Sequence, residues 1–431
     1  MPQLDGIRAV AIFAVLLEHF TSKSDFVRDT VHSGRLGVLL FFVLSGFLIT
    51  QILLDERDKH DSRNISSRSL IRNFYLRRIL RIFPIYYLTI LLFAVFDHRP
   101  VKDHLLWHLI YFSNISAPFI DKTNYLSTSH LWSLCVEEQF YLFWPFVMMF
   151  VRKRHLHRVI WGTVMLGVLY KSYGYIAGFS WQQITRPLFG CMESLSFGAL
   201  LALYWNERKR YQKQKMFLIK AGIWIGLPLL IASQAVYAFS ENFRLYPGYG
   251  LLVDISASLF FVYLVDSAAQ NRKNFFGYFL EFSPVRYVGK VSYGIYLYHA
   301  FLFAILPPLF YSVGVENPKG LRHFFIYSIV AVTVAAVSWH LIEKPINDLK
   351  KYFPYTRDLD GNKTKNISPQ NVYFQSIRIA SSVGLVILLV VSSVHHFPPG
   401  LTKVADQFLY EIKRNDFSSA YQFLCKDLIP F

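Results

Sequence analysis

The chain has 431 residues, 53% of them hydrophobic and 17% aromatic, with a mean hydropathy of +0.31. That balance points to a polytopic membrane protein and away from a soluble domain. The net charge of +17 comes from basic residues in short loops between apolar runs. This is the positive-inside pattern and not a groove for a phosphate backbone, so no nucleic-acid partner is expected.

The apolar runs predict eleven membrane helices, over residues 7–20, 36–54, 83–97, 130–150, 157–178, 186–205, 217–238, 249–268, 291–312, 322–342 and 376–396. The first and third are short for a hydrocarbon core of roughly 30 Å and need flanking residues or a thinner bilayer. No small-residue cleavage site follows the first run, so it is expected to stay on the chain. With the N-terminus inside, the inner loops hold about twice as many Lys and Arg as the outer loops and tail, and the C-terminus falls outside. The sequons at Asn64, Asn362 and Asn366 fall inside by this topology and read as chance matches, while Asn114 falls outside. Cys135, Cys191 and Cys425 are too scattered for a disulfide framework or a zinc site, and no metal is expected.

Ionisable groups inside these apolar runs carry the chemistry. Arg8 and His19 lie on the first helix, and at about 100° per residue their spacing brings both onto one face. Either they snorkel to opposite surfaces or they face a cavity in the bundle. The second helix holds Phe41-Phe42-Val43-Leu44-Ser45-Gly46, where the small pair suits close packing or the approach of a ligand. Next comes Arg77-Arg78-Ile79-Leu80-Arg81 at the mouth of the third helix. Arg78 and Arg81 share one face and Arg77 and Arg81 another edge, as topological anchors or as a holder for a polyphosphate. Residues 105–112 are apolar but too short to span, and predict an interfacial or re-entrant piece. The fourth helix carries Trp132-Ser133-Leu134-Cys135-Val136-Glu137-Glu138-Gln139-Phe140-Tyr141. Two adjacent carboxylates at membrane depth require a cation or water, and at most one points straight at a shared cavity. Ser292-Tyr293-Gly294-Ile295-Tyr296 and Glu343-Lys344-Pro345 close the series, the tyrosines as packing aromatics or ligands and Pro345 as a helix breaker.

In this order and spacing the motifs resemble the acyltransferase 3 family of integral membrane acyltransferases, many of which O-acetylate bacterial surface glycans. The resemblance runs from Leu4 to about Pro345. It implies an all-α polytopic membrane protein with a ten-helix acyltransferase core (residues 1–350) and one extra helix. It also implies a catalytic role for His19, a donor site including Arg8, Arg78 and Arg81, and functional carboxylates at Glu343 and at Glu137 or Glu138. On this reading Arg77, Ser45 and Gly46 are grouped with the donor site and Trp132, Ser133 and Tyr293 with the acceptor. The donor is acetyl-CoA or another acyl-CoA on the cytoplasmic side. The acceptor is a hydroxyl of a carbohydrate or lipid-linked molecule outside the cytoplasmic (inner) membrane.

Beyond the core, residues 351–375 read as a cytoplasmic linker, 376–396 as the extra helix and 397–431 as a short extracytoplasmic tail without catalytic groups. Some relatives carry a large outer esterase-like domain. Here the short tail reads as a segment on the membrane, a partner contact or the first piece of a truncated outer domain, with direct transfer to the acceptor or hand-over to a separate extracytoplasmic transferase, or a homo-oligomer. The rival class is a secondary transporter or flippase that uses His19 and the intramembrane carboxylates as a relay. Against it stands the lack of any evident inverted repeat.

Overall fold

The structure is a computed structural model and describes residues 1–21, 33–63, 66–95, 99–121, 126–239 and 248–353. Their regular structure is all helical, with short turns between the helices and no strand among the described residues. Thirteen longer helices carry the architecture: α1 Pro2–Phe20, α2 Ser33–Arg63, α3 Ser67–Val95, α4 Leu131–Phe150, α5 Lys153–Ile176, α6 Met192–Asn206, α7 Arg208–Ala221, α8 Leu227–Phe239, α9 Tyr249–Ala269, α10 Phe275–Glu281, α11 Ser283–Tyr298, α12 Leu302–Ser312 and α13 Gly320–Ser338. A helix stands at each of the first ten predicted spans. Among the described residues five stretches are long and apolar enough to cross a membrane, or six if α11 and α12, bent by 80° at their junction, form one broken span. The remaining spans are diluted by polar groups, such as Asp5, Arg8 and Glu18 in α1 and Glu137-Glu138-Gln139 in α4. The linker, the eleventh helix and the tail with Cys425 lie outside the described residues, as do the sequons at Asn64, Asn362 and Asn366.

The chain divides into two compact units. Among the described residues, one comprises those within 1–71 and 93–336, the other residues 72–92 and 337–353. Within the first unit α6 is the central element. It is apolar nearly all round, and every residue from Met192 to Tyr204 is buried, as expected of a helix with no solvent face. It packs on α2, α5, α7 and α9. Its seam with α2 depends on reciprocal glycines. A Cβ at Gly46 would lie 1.9 Å from the Leu195 carbonyl oxygen, and one at Gly198 would lie 2.0 Å from that of Val43. The two backbones therefore approach at a distance only glycine allows. Gly46→Val should cost about 1–3 kcal/mol or more through overpacking. A lowered unfolding temperature in detergent is the check, and an unchanged midpoint would show that the seam yields.

The predicted interfacial piece forms the short helix Leu105–Leu109, with Leu106 and Ile110 exposed. Asn114, expected outside as a sequon, is fully buried in an amide pair with Gln139 (3.1 and 2.9 Å), which leaves no room for a glycan. At its other end α1 is tied down by Gln3, which donates to Glu281 and to the Arg272 carbonyl. Hydrogen bonds from Lys273 and Gln3 hold the Glu281 carboxyl below its ordinary titration range.

In the second unit, residues 72–92 of α3 carry the arginines. Residues 339–352 form a π-helical turn, Trp339–Glu343, followed by Lys344–Asn347 and a 3-10 turn, Asp348–Tyr352. Such π turns occur disproportionately at functional positions.

Candidate active site

His19 ends α1, and in the first unit its Nδ1 lies 2.7 Å from Nε2 of His299, just past the end of α11. The two rings lie within 13° of parallel. Nδ1 of His299 is 2.6 Å from the Tyr296 carbonyl oxygen. A carbonyl can only accept, so His299 carries its proton on Nδ1 and, when neutral, has a lone pair on Nε2. That lone pair accepts Nδ1–H of His19, and the lone pair of His19 is then on Nε2. A backbone carbonyl thus sets the tautomer of one imidazole, which sets that of the next. His299 is fully buried.

A third imidazole, His130, stands at the start of α4 with its ring edge-on to His299, 4.9 Å between centroids. Its Nε2–H donates to the Leu297 carbonyl at 3.1 Å, while its buried Nδ1 has no hydrogen-bond partner among the described residues. The backbone is held in place by Tyr296, whose hydroxyl donates to the His130 carbonyl and also bonds Ser133.

His19, with His299 one step behind it, and His130 border a cavity of about 510 Å³ in the first unit, lined also by Glu18, Arg35, Trp132 and Arg186 among others. Its size suits a small-molecule or sugar site. Behind Arg35 lies a buried set of ions. Arg35 bonds both carboxylate oxygens of Asp254, and Lys171 bridges Asp254 and Glu193. Lys171, Glu193 and Asp254 are wholly buried.

His299, His130 and this ion set were not singled out as site residues in the sequence. The signal for the ions was present: Lys171, Glu193 and Asp254 each interrupt an apolar run, and an ionisable group inside a membrane span is a functional candidate by default. His299 sits three residues beyond the tyrosine block marked above, but nothing in its spacing pairs it with His19.

Of the expected site residues, His19 and Trp132 line the cavity. Ser133 acts one step back, through Tyr296, and Tyr293 is not among the lining residues. Glu137 accepts from Ser45 at 2.6 Å, and Tyr141 donates to the same hydroxyl, so these three form a polar knot between α2 and α4. Glu138 is half-buried beside them in sequence and does not line the cavity. Gly46 has a packing role of its own in the α2–α6 seam. Arg8 is ion-paired with Asp5 one turn away.

The second unit holds the rest. Arg77 donates to the carbonyls of Lys350 and Phe353, at 3.3 and 3.0 Å, and so caps the end of the last turn. Arg78 lies over the ring of Phe74, 5.7 Å from its centroid. Glu343 is buried, accepts from Ser338 at 3.2 Å and has Arg81 as its electrostatic partner. Arg77, Arg78, Arg81 and Glu343 therefore belong to one unit.

Residues 1–340 match the family model described as an acyltransferase domain. The chain is similar to YrhL of Bacillus subtilis (strain 168), 30% identical over 376 residues that cover 80% of this chain and 55% of that protein. It is also similar to the peptidoglycan O-acetyltransferase OatA of Listeria monocytogenes, 29% identical over 83% of this chain and 58% of OatA. A third relative is SAS0844 of Staphylococcus aureus (strain MSSA476), 27% identical over 90% of this chain and 62% of that protein. The chain thus spans less than two thirds of the length of these relatives. No solved structure matches it. With the family model covering residues 1–340 and the motifs from Leu4 to Pro345 falling almost wholly within that range, this chain belongs to the acyltransferase 3 family.

Proposed function

We propose that this protein is a multi-pass O-acetyltransferase of the cytoplasmic membrane that moves an acetyl group from acetyl-CoA to a hydroxyl of an extracytoplasmic carbohydrate. The observation that carries the reading is the hydrogen bond from His19 to His299. A base at the wall of a cavity needs a fixed tautomer, and this bond supplies it. Nε2 of His19 takes the proton of the acceptor hydroxyl as its oxygen attacks the thioester carbonyl. The tetrahedral adduct then expels the thiolate, which receives that proton from His19. His299 keeps the ring oriented while it is positively charged, the part a carboxylate plays in a hydrolase triad. The name of OatA specifies peptidoglycan, and we carry over the class, a glycan of the cell envelope. The topology that goes with this reading places the N-terminus inside, as the charge of the loops suggests.

The donor phosphates are assigned to Arg78 and Arg81, whose side chains share a helix face. Arg77 already serves a carbonyl pair and contributes charge to the same function. Arg78→Ala and Arg81→Ala should each raise the donor KM, by about 1.5–3 kcal/mol of lost charge-assisted contact. Unchanged donor affinity would make both residues topological anchors.

The decisive experiment is transfer of labelled acetyl from acetyl-CoA to a glycan oligosaccharide by the purified protein in proteoliposomes. Labelled product is the expected result. Passage of solute without covalent modification would replace this reading with a transporter.

A further inference from the structure

Burying four ions is costly, and an apolar set of equal volume would serve the fold as well or better. The set around Asp254 therefore invites the question of what it holds in place. It holds Arg35, the one member that reaches the cavity. Nε and Nη2 of Arg35 are engaged by Asp254, and Nη1 has no hydrogen-bond partner among the described residues. The guanidinium in turn lies against the indole of Trp181, 4.5 Å from the ring centroid.

Trp181 is itself fixed. It is the first residue of the short helix Trp181–Thr185, which is closed by a capping box between Ser180 and Gln183. The edge of its ring rests over Gly250 in the first turn of α9. A Cβ there would lie 2.3 Å from Cζ3 and 2.6 Å from Cη2. A glycine at 250 is thus required for the indole to lie as it does. Yet this oriented ring is 46% exposed and borders the cavity, together with Gln182 and Arg186 from the same stretch.

We propose that Trp181 and Arg35 form the subsite that binds the acceptor sugar, an inference that rests on the glycan-acceptor reading above. A pyranose has an apolar face of C–H groups and a rim of hydroxyls. The indole offers a flat surface whose negative π face attracts those C–H groups. Arg35 offers Nη1–H donors to a hydroxyl or an N-acetyl carbonyl at the rim. The ion set contains two cations and two anions, and Glu18 and Arg186 on the cavity wall add one of each sign, so the site carries no net charge and favours a neutral sugar over an anionic one. The class of ligand is a neutral, hydroxyl-rich pyranose of the N-acetylhexosamine type. His19 borders the same cavity, so a sugar held there presents its hydroxyl to the base.

The test uses the full chain in nanodiscs, with chitotetraose as the probe, titrated by calorimetry and by tryptophan fluorescence. Trp181→Ala should weaken chitotetraose binding about tenfold or more, and Trp181→Phe, which keeps a ring, should remain within about threefold of wild type. The fluorescence response of the wild type should fall in Trp181→Phe to the part that Trp132, on the same cavity wall, reports. Binding of coenzyme A by the same samples reports that each variant is folded. If Trp181→Ala does not fold, oxidation of Trp181 by N-bromosuccinimide in the wild type, mapped by mass spectrometry, takes its place, and chitotetraose should protect the ring. Equal chitotetraose affinity in Trp181→Ala, or equal oxidation with and without the sugar, makes Trp181 an interfacial anchor and overturns the subsite. Wild-type protein that acetylates a glycan without binding chitotetraose also overturns the subsite and leaves the acyltransferase reading standing. Failure to transfer acetyl to any glycan overturns that earlier reading instead.

Discussion

His19→Ala should abolish acetyl transfer by the purified protein while leaving it folded in the membrane. General-base catalysis is worth about 10²–10⁴ in rate, and the loss should reach at least that range. His299→Ala should cost a large part of the same factor in kcat, because the neighbouring imidazole then loses the acceptor that fixes its tautomer. The effect of the two changes together should be far smaller than the product of the single effects, since residues that act as a unit are not additive. Rates are measured with labelled acetyl-CoA in proteoliposomes, and folding is checked by gel filtration and donor binding. Wild-type turnover in His19→Ala would remove the residue from the chemistry. Simple multiplication of the two losses would show that His299 acts elsewhere.

Lys171→Met should be the most damaging single change to stability. It leaves Glu193 and Asp254 buried with Arg35, bonded to Asp254, as the remaining cation of the set, and breaking a buried pair from one side costs about 3–5 kcal/mol. Adding Glu193→Gln restores the charge balance, so the double variant should recover much of the loss. Unfolding temperatures of the two single variants and the double variant form the cycle that isolates the coupling. A single variant as stable as wild type would mean that water reaches Glu193 and Asp254.

The helices were legible because a membrane helix must be a long apolar run, and each of the first ten predicted runs is helical. His19 was legible for the opposite reason, as an ionisable group where such a run should have none. What the chain could not reveal was pairing. His299 lies 280 positions from His19, and Asp254 lies 219 from Arg35. No periodicity spans such distances, and a lone Lys or Asp in an apolar run does not say which neighbour neutralises it. The quoted Ser-Gly pair shows a third limit. Both readings of Gly46 require a small residue, and only the position of the Leu195 carbonyl supplies its packing reason.

Because α1 is pinned at both ends, its length works as a ruler. Near its start, Gln3 is tied to Glu281, and a Cβ at Gly289 would meet the Asp5 carbonyl oxygen at 1.7 Å. At its end, His19 meets His299 on the same partner segment. A residue inserted between Asp5 and His19 would advance the imidazole by about 1.5 Å and swing it by about 100°. The side chain would survive and the phase would be lost. The reactive geometry is thus written as a count of residues as well as an identity at one position, and changes of length in α1 should be as poorly tolerated as changes of His19 itself.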